Sequence, residues 1–223
     1  MPTAREVLEL QKMADRAAPP RILQLLDSAL DIFRELVQPV GALEDFPIDA
    51  FGNLYEGNGM NSLDGPVPSI VARADAVAVF AATMGDALAS KSRELFTQGS
   101  ATLGYMMDAV NSSGAERLGG RMCRLFLEHL PEELRNKKLK AQYYCPGHCG
   151  WHISGQEKLF ETLRPEEIGM TINSRWVMQP FKSISGVLVA GEMCIHRFPP
   201  GFSFCPQCRE RKCASRLRIL ESA

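Results

Sequence analysis

The sequence predicts an α+β fold, and three observations carry that prediction. Ile22, Leu25, Leu26, Ala29, Ile32, Phe33 and Leu36 recur at helical spacing. Ala76-Val77-Ala78-Val79-Phe80-Ala81-Ala82-Thr83 is an apolar run of strand length, as expected for a strand buried on both faces. Two β-like segments, Met170 to Met178 and Ile184 to Ala190, follow the helices without the strand–helix alternation of a parallel sheet.

The elements follow in order. Thr3 to Arg16 has helical spacing through Val7, Leu8 and Leu10, and Pro19-Pro20 restarts the chain. The second helix ends near Pro39-Val40-Gly41. Residues 45–69 are rich in Gly, Asn, Asp and Pro, and Phe51 to Gly59 reads as short strands or turns. Met84-Gly85-Asp86 turns from the strand into a helix that runs through Phe96. A further helical region covers Leu103 to Leu130, interrupted or tightly packed at Gly119-Gly120. Tyr143-Tyr144 leads into a Cys-Pro-Gly-His-Cys loop, a short helix spans Gln156 to Leu163, and a basic helix closes the chain. The expected division is an N-terminal helical extension with an irregular segment, residues 1–69, and a main α+β domain, residues 70–223.

With 223 residues and a formal net charge of -1, the chain offers no strongly basic surface for nucleic acid. The cluster Arg135, Lys137, Lys138 and Lys140 reads as a solvated helix end. No apolar run approaches the roughly 18 residues of a membrane helix. Arg5 and Glu6 stand where a signal peptide needs an apolar stretch, so a cytoplasmic location is expected.

The seven cysteines are the first functional clue, because all but Cys123 lie from residue 145 onward. In a reducing compartment, clustered cysteines point to metal or redox chemistry more than to disulfides. Cys205, Cys208 and Cys213 form C-x2-C-x4-C, a turn that aims thiolates at one centre; Cys145 and Cys149 form C-x3-C. Cys145, Cys149 or Cys194 can supply a fourth corner. An iron–sulfur cluster, structural zinc and redox-active thiols all stay open. Arg209, Arg211, Lys212, Arg216 and Arg218 would stabilise an anionic cluster, or simply form a solvated tail. His148 and His152 flank Gly150-Trp151 and are candidate ligands through a ring nitrogen, although a loop histidine is more often only hydrogen-bonded. Cys123, among Met122, Leu125 and Phe126, reads as core.

A longer pattern runs through Gly150-Trp151, Lys158-Leu159-Phe160, Leu163, Ile168-Gly169-Met170-Thr171, Met178-x-Pro180 and Lys182-Ser183-Ile184-Ser185-Gly186. Upstream stand Val79-Phe80-Ala81-Ala82-Thr83-Met84-Gly85 and the stretch from Glu94-Leu95-Phe96 to Asp108-Ala109. In order and spacing, over residues 70–192, this resembles the activation domain of cobalamin-dependent methionine synthase. The resemblance implies a curved, twisted antiparallel sheet with flanking helices, packing over cobalamin and holding S-adenosylmethionine. It implies that Gly150, Trp151, Ser183, Ser185 and Gly186 line the groove and that Glu116 matches an acidic helix residue of the methyl-donor site; His148 and His152 are read as cofactor ligands from their own positions beside Gly150-Trp151. Two departures stand out. Cys145-Pro146-Gly147-His148-Cys149 replaces a stretch that carries an arginine in the family, and Val187-Leu188-Val189-Ala190 replaces aromatic residues. The carboxylate of the methyl donor would thereby lose its arginine partner.

The resulting expectation is a protein that binds or reductively activates a corrinoid or a corrinoid protein. An iron–sulfur cluster held by Cys205, Cys208 and Cys213 with Cys145 or Cys149 would be its electron-transfer centre. The alternatives are a zinc-stapled, non-catalytic cap on a corrinoid protein and a component of a corrinoid-dependent methyltransferase. Whether the chain is itself an enzyme stays open, and a homo-oligomer is compatible with the sequence. The fold resemblance further places the Gly150 loop and the last strand at one end of a sheet, with the two cysteine groups just outside them.

Overall fold

A computed structural model describes residues 1–13, 18–56 and 58–197. Thr3 caps the first helix, α1 (Ala4–Leu10), in a reciprocal box: its hydroxyl accepts the Glu6 N–H and the Glu6 carboxylate accepts the Thr3 N–H. This helix stops short of the expected Arg16. Pro20 opens α2 (Pro20–Leu36), where its fixed φ and missing N–H cost nothing. The apolar stripe of α2 buries Leu26, Ala29 and Phe33.

The chain then forms a strand that the sequence does not announce, β1 (Val40–Asp45). Its side chains are largely exposed, so it carries no apolar alternation; its backbone is held by antiparallel pairing with β2 (Ala76–Thr83). The expectation of strands or turns from Phe51 is corrected. Phe51–Glu56 is a helical turn and a half, α3, and Phe51, Leu54 and Tyr55 at i, i+3 and i+4 turn toward the core despite Gly52 and Asn53. A short helix, α4 (Val67–Val71), leads into β2.

Gly85, at φ 90°, starts α5 (Asp86–Thr97), as the Met84-Gly85-Asp86 turn predicts. The long helix α6 (Ala101–His129) passes Gly119-Gly120 unbroken. Gly119 is there for packing, since a Cβ would lie 2.8 Å from the Tyr143 ring, whereas Gly120 faces open space. After α7 (Glu132–Arg135) come β3 (Lys140–Tyr144) and α8 (Gly155–Leu163). The segment read as one strand from Met170 is a small hairpin, β4 (Thr171–Ile172) with β5 (Met178–Gln179). Asn173 folds it back, its Oδ1 accepting the N–H groups of Arg175 and Val177.

The last strand, β6 (Ile184–Gly191), completes a four-stranded antiparallel sheet in the order β1-β2-β6-β3. This is the α+β architecture the sequence predicts. Val77, Val79, Ala81, Val187 and Val189 face α3, α4 and α8 on one side; Ala78, Phe80, Ala82, Leu188 and Ala190 face Met122 and Phe126 of α6 on the other. Burial of both faces explains the unbroken apolar run of β2. Cys123 lies in the second core, as its apolar neighbours suggest. α1 and α2 share a third core with α5 and the first half of α6, through Val7, Phe33, Leu88 and Met107. No helix among the described residues is long and apolar enough to cross a membrane.

Candidate functional site

The pairing of the edge strand β3 with the central strand β6 positions the site. Tyr144 pairs with Val187 at the end of the ladder, and Cys145 then leaves the sheet directly over Gly186. A Cβ on Gly186 would collide with the Tyr144 carbonyl, so only glycine admits the loop so close to the strand. The loop closes on itself: the His148 N–H donates to Cys145 O at 3.2 Å, the Trp151 N–H to His148 O at 3.0 Å, and the Gly147 N–H to Trp151 O at 2.7 Å. Three of its residues have left-handed backbone: Gly147 (φ 92°), Cys149 (φ 52°) and Gly150 (φ 77°). Glycine takes that conformation freely, but for Cys149 it costs about 1–2 kcal/mol.

The loop forms one wall of a cleft of about 320 Å³. Cys145, His148 and Cys149 lie on that wall, Ser183 and Ser185 come from β6 and the turn before it, and Glu116 comes from α6. The structure thus brings together six residues that the sequence singles out from three separate segments. Gln156 of α8 and Met178 of β5 also line the cleft. The Ser185 hydroxyl, 1% exposed, donates to Gln156 Oε1 at 2.5 Å. Gln156 escaped sequence reasoning, yet it falls three and four residues before Leu159 and Phe160, on the buried stripe of its helix. The Ser183 hydroxyl donates to Pro180 O at 2.6 Å and so braces the entry to β6. No lysine or arginine lines the cleft among the described residues.

Other expectations are corrected. Trp151 does not line the groove: its side chain is 1% exposed and lies in the core, edge-on to Phe51 at 6.0 Å and tilted on Tyr55 at 5.5 Å. Gly150 contributes backbone, its carbonyl accepting the Ser62 N–H at 2.9 Å. His152 lies outside the cleft lining, beside Trp176. Its Nδ1 lies 2.9 Å from the Ser154 hydroxyl and 3.2 Å from the Ser154 backbone nitrogen. The Cys145 loop adjoins the start of β6, whereas the chain beyond β6 departs from the other end, near Lys140. The segment leading toward Cys205, Cys208 and Cys213 thus leaves the sheet at the end opposite the Cys145 loop. Cys194 is exposed on the turn after β6.

Cys205, Cys208 and Cys213 lie outside the described residues. Among the described residues, no three His, Cys, Asp or Glu side chains converge as a metal site.

Behind the loop, the Tyr55 hydroxyl is buried and has no hydrogen-bond partner among the described residues. Burial, helped by negative charge at Cys149 and Asp64, pushes its phenol up to about 12. An unfolded tyrosine titrates near about 10, so the folded state is favoured below that pH and loses this contribution as pH rises toward about 12. Tyr55→Phe is therefore expected to resist alkaline unfolding better than the wild type, by circular dichroism from neutrality to pH about 12. Coincident alkaline transitions would assign the pH dependence to another group.

Residues 64–199, more than half of the chain, match the family described as vitamin B12 dependent methionine synthase, activation domain. Comparison with curated proteins gives no match. Among solved structures, a crystal structure described as the MetH reactivation domain bound to AdoHcy aligns with a TM-score of 0.53 and 17% identity. That alignment covers 82% of this chain and 73% of the other. At this identity the likeness speaks for the fold alone.

Proposed function

Since this chain belongs to the family of vitamin B12 dependent methionine synthase activation domains, we propose that it caps a corrinoid carried by a partner protein and prepares its cobalt for reaction. The cysteine-walled cleft carries this reading. At about 320 Å³ it sits at the low end of ligand cavities, about 300–1,000 Å³, far too small for a whole corrinoid. The macrocycle would lie across the mouth, with the cleft serving the small group or electron that reaches the metal. Met60, Leu63, Val177 and Phe181 are exposed on the two segments beside the site. Those segments are tied to it: the Asn61 Oδ1 accepts the His152 N–H at 2.8 Å, and Trp176 stands edge-on to His152 at 5.9 Å. An apolar rim around a reactive cleft suits a protein partner. In this reading the N-terminal segment, residues 1–69, buttresses α6 through α1 and α2 and adds β1 and α3 to the sheet and core of residues 70–223, which carry the chemistry.

The finer proposal is that Cys205, Cys208 and Cys213 complete a metal centre with Cys145 or Cys149. Arg197 leaves the opposite end of the sheet, so the chain must return past β3, about 13 Å along its five residues. A fully extended chain with the sequence separation of Arg197 and Cys205 would span about 26 Å, enough to do so. An iron–sulfur cluster there would supply the electron that reduces cobalt; zinc would only staple the fold. Gly186 and Gly147 set the loop whose Cys145 and Cys149 line the cleft, and the Ser185–Gln156 pair braces its lining. Single Cys→Ser variants of the anaerobically purified protein test this by iron and sulfide content. Loss in Cys205→Ser and Cys208→Ser is expected; full retention in both removes the centre.

A methyl donor is the second reading, prompted by Glu116 on the cleft. The described lining offers no guanidinium or ammonium to a carboxylate, which forgoes about 1.5–3 kcal/mol of charge-assisted hydrogen bonding. S-adenosylmethionine is expected to bind about tenfold to a hundredfold more weakly than a site with that partner would hold it. Micromolar binding by calorimetry would restore the methylation role.

A further inference from the structure

A second cleft, of about 330 Å³, lies against the other side of α6. On that helix Gly114, Arg117, Leu118, Arg121 and Arg124 share one face, while Ala115 and Glu116 of the first site point the opposite way. The floor is apolar, made by Phe33, Val37, Met84 and Leu118. Phe33 and Val37 precede the segment that matches the family, so the cleft exists because the N-terminal extension packs on α6.

Charge at this cleft is one-sided. No acidic residue lines it among the described residues. Arg117 is engaged by Glu6 at 2.7 Å, but Arg121 reaches only Glu128 at 3.9 Å, with both groups more than half exposed. Arg124 has no ion pair among the described residues. Spaced at i, i+4 and i+7, the three guanidiniums crowd like charge onto two turns of helix, which a bound anion relieves. A guanidinium fork matches a carboxylate with two parallel hydrogen bonds. The apolar floor selects against an anion that is polar throughout.

From this combination we propose that the cleft binds a small amphiphilic carboxylate, with its head against Arg121 and Arg124 and its short hydrocarbon body over Phe33, Val37 and Met84. The volume is that of a small-molecule site. This proposal is independent of the cysteine-walled cleft and of its cofactor.

Calorimetric titration of the full chain with octanoate tests it, with acetate and octylammonium at equal ionic strength as controls. Saturable octanoate binding is expected, with acetate weaker by about tenfold or more for want of the apolar contact, and no octylammonium binding. Arg121→Gln with Arg124→Gln is expected to weaken octanoate about tenfold or more without lowering the melting temperature of the free protein. Arg124→Gln alone, which breaks no ion pair among the described residues, is expected to weaken it in the same direction. Failure of octanoate to bind, equal binding of octylammonium, or unchanged affinity in the double variant overturns the proposal.

Discussion

Trp151→Ala is expected to destabilise the fold by about 3–5 kcal/mol, the range for removing a large aromatic from a packed core. The side chain is 1% exposed and belongs to the same core as Phe51, Leu159, Val187 and Val189. Its loss empties the space behind the Cys145–Gly150 loop, and a domain of ordinary stability has only about 5–15 kcal/mol in total. Chemical denaturation should show a midpoint shift at unchanged slope. Trp151→Phe should cost much less, because the indole N–H is buried against Gly155 with no acceptor among the described residues, so no hydrogen bond is lost. Were Trp151→Ala to keep full stability while losing corrinoid binding, the ring would belong to the groove after all.

Gly186→Ala is expected to separate the loop from the sheet. The added methyl meets the Tyr144 carbonyl and the Cys145 Cα. Both are backbone atoms that cannot rotate away, and overpacking of this kind costs about 1–3 kcal/mol, occasionally more. Position 186 pairs with Phe80 in the middle of the sheet, so the strand cannot slide to make room. The displaced atoms carry Cys145, and the cleft loses its wall. The measurable result is lower stability together with loss of any metal or corrinoid signal that depends on Cys145. Retention of both would mean that the loop has room the geometry denies it.

The sequence revealed those parts of the fold whose burial writes a periodic pattern. β2, β6, α2 and α6 bury one stripe or two faces, and their apolar spacing names them. β1 stayed hidden because an exposed edge strand is fixed by backbone pairing rather than by side-chain burial. α3 was concealed by Gly52 and Asn53, whose turn preference yields to the packing of Phe51 and Leu54. At the site, Cys145, Cys149, Ser183 and Ser185 were legible from residue type and order, and the structure gathers them at one cleft. Trp151 was misplaced because an aromatic beside a functional loop reads the same whether it faces ligand or core; only the packing of Tyr55 and Phe51 decides. Gln156 was missed because a single polar residue on an apolar stripe gives no sign of a hydroxyl partner twenty-nine positions away.

The most direct test of the central reading is anaerobic titration of the full chain with cob(II)alamin, free and carried on a cobalamin-binding domain, followed by absorption spectroscopy. A saturable spectral change is expected, stronger with the carried corrinoid, that is lost in Gly186→Ala and in Leu63→Glu with Phe181→Glu. No spectral response with either form of cob(II)alamin, or an identical response in those variants, would contradict it.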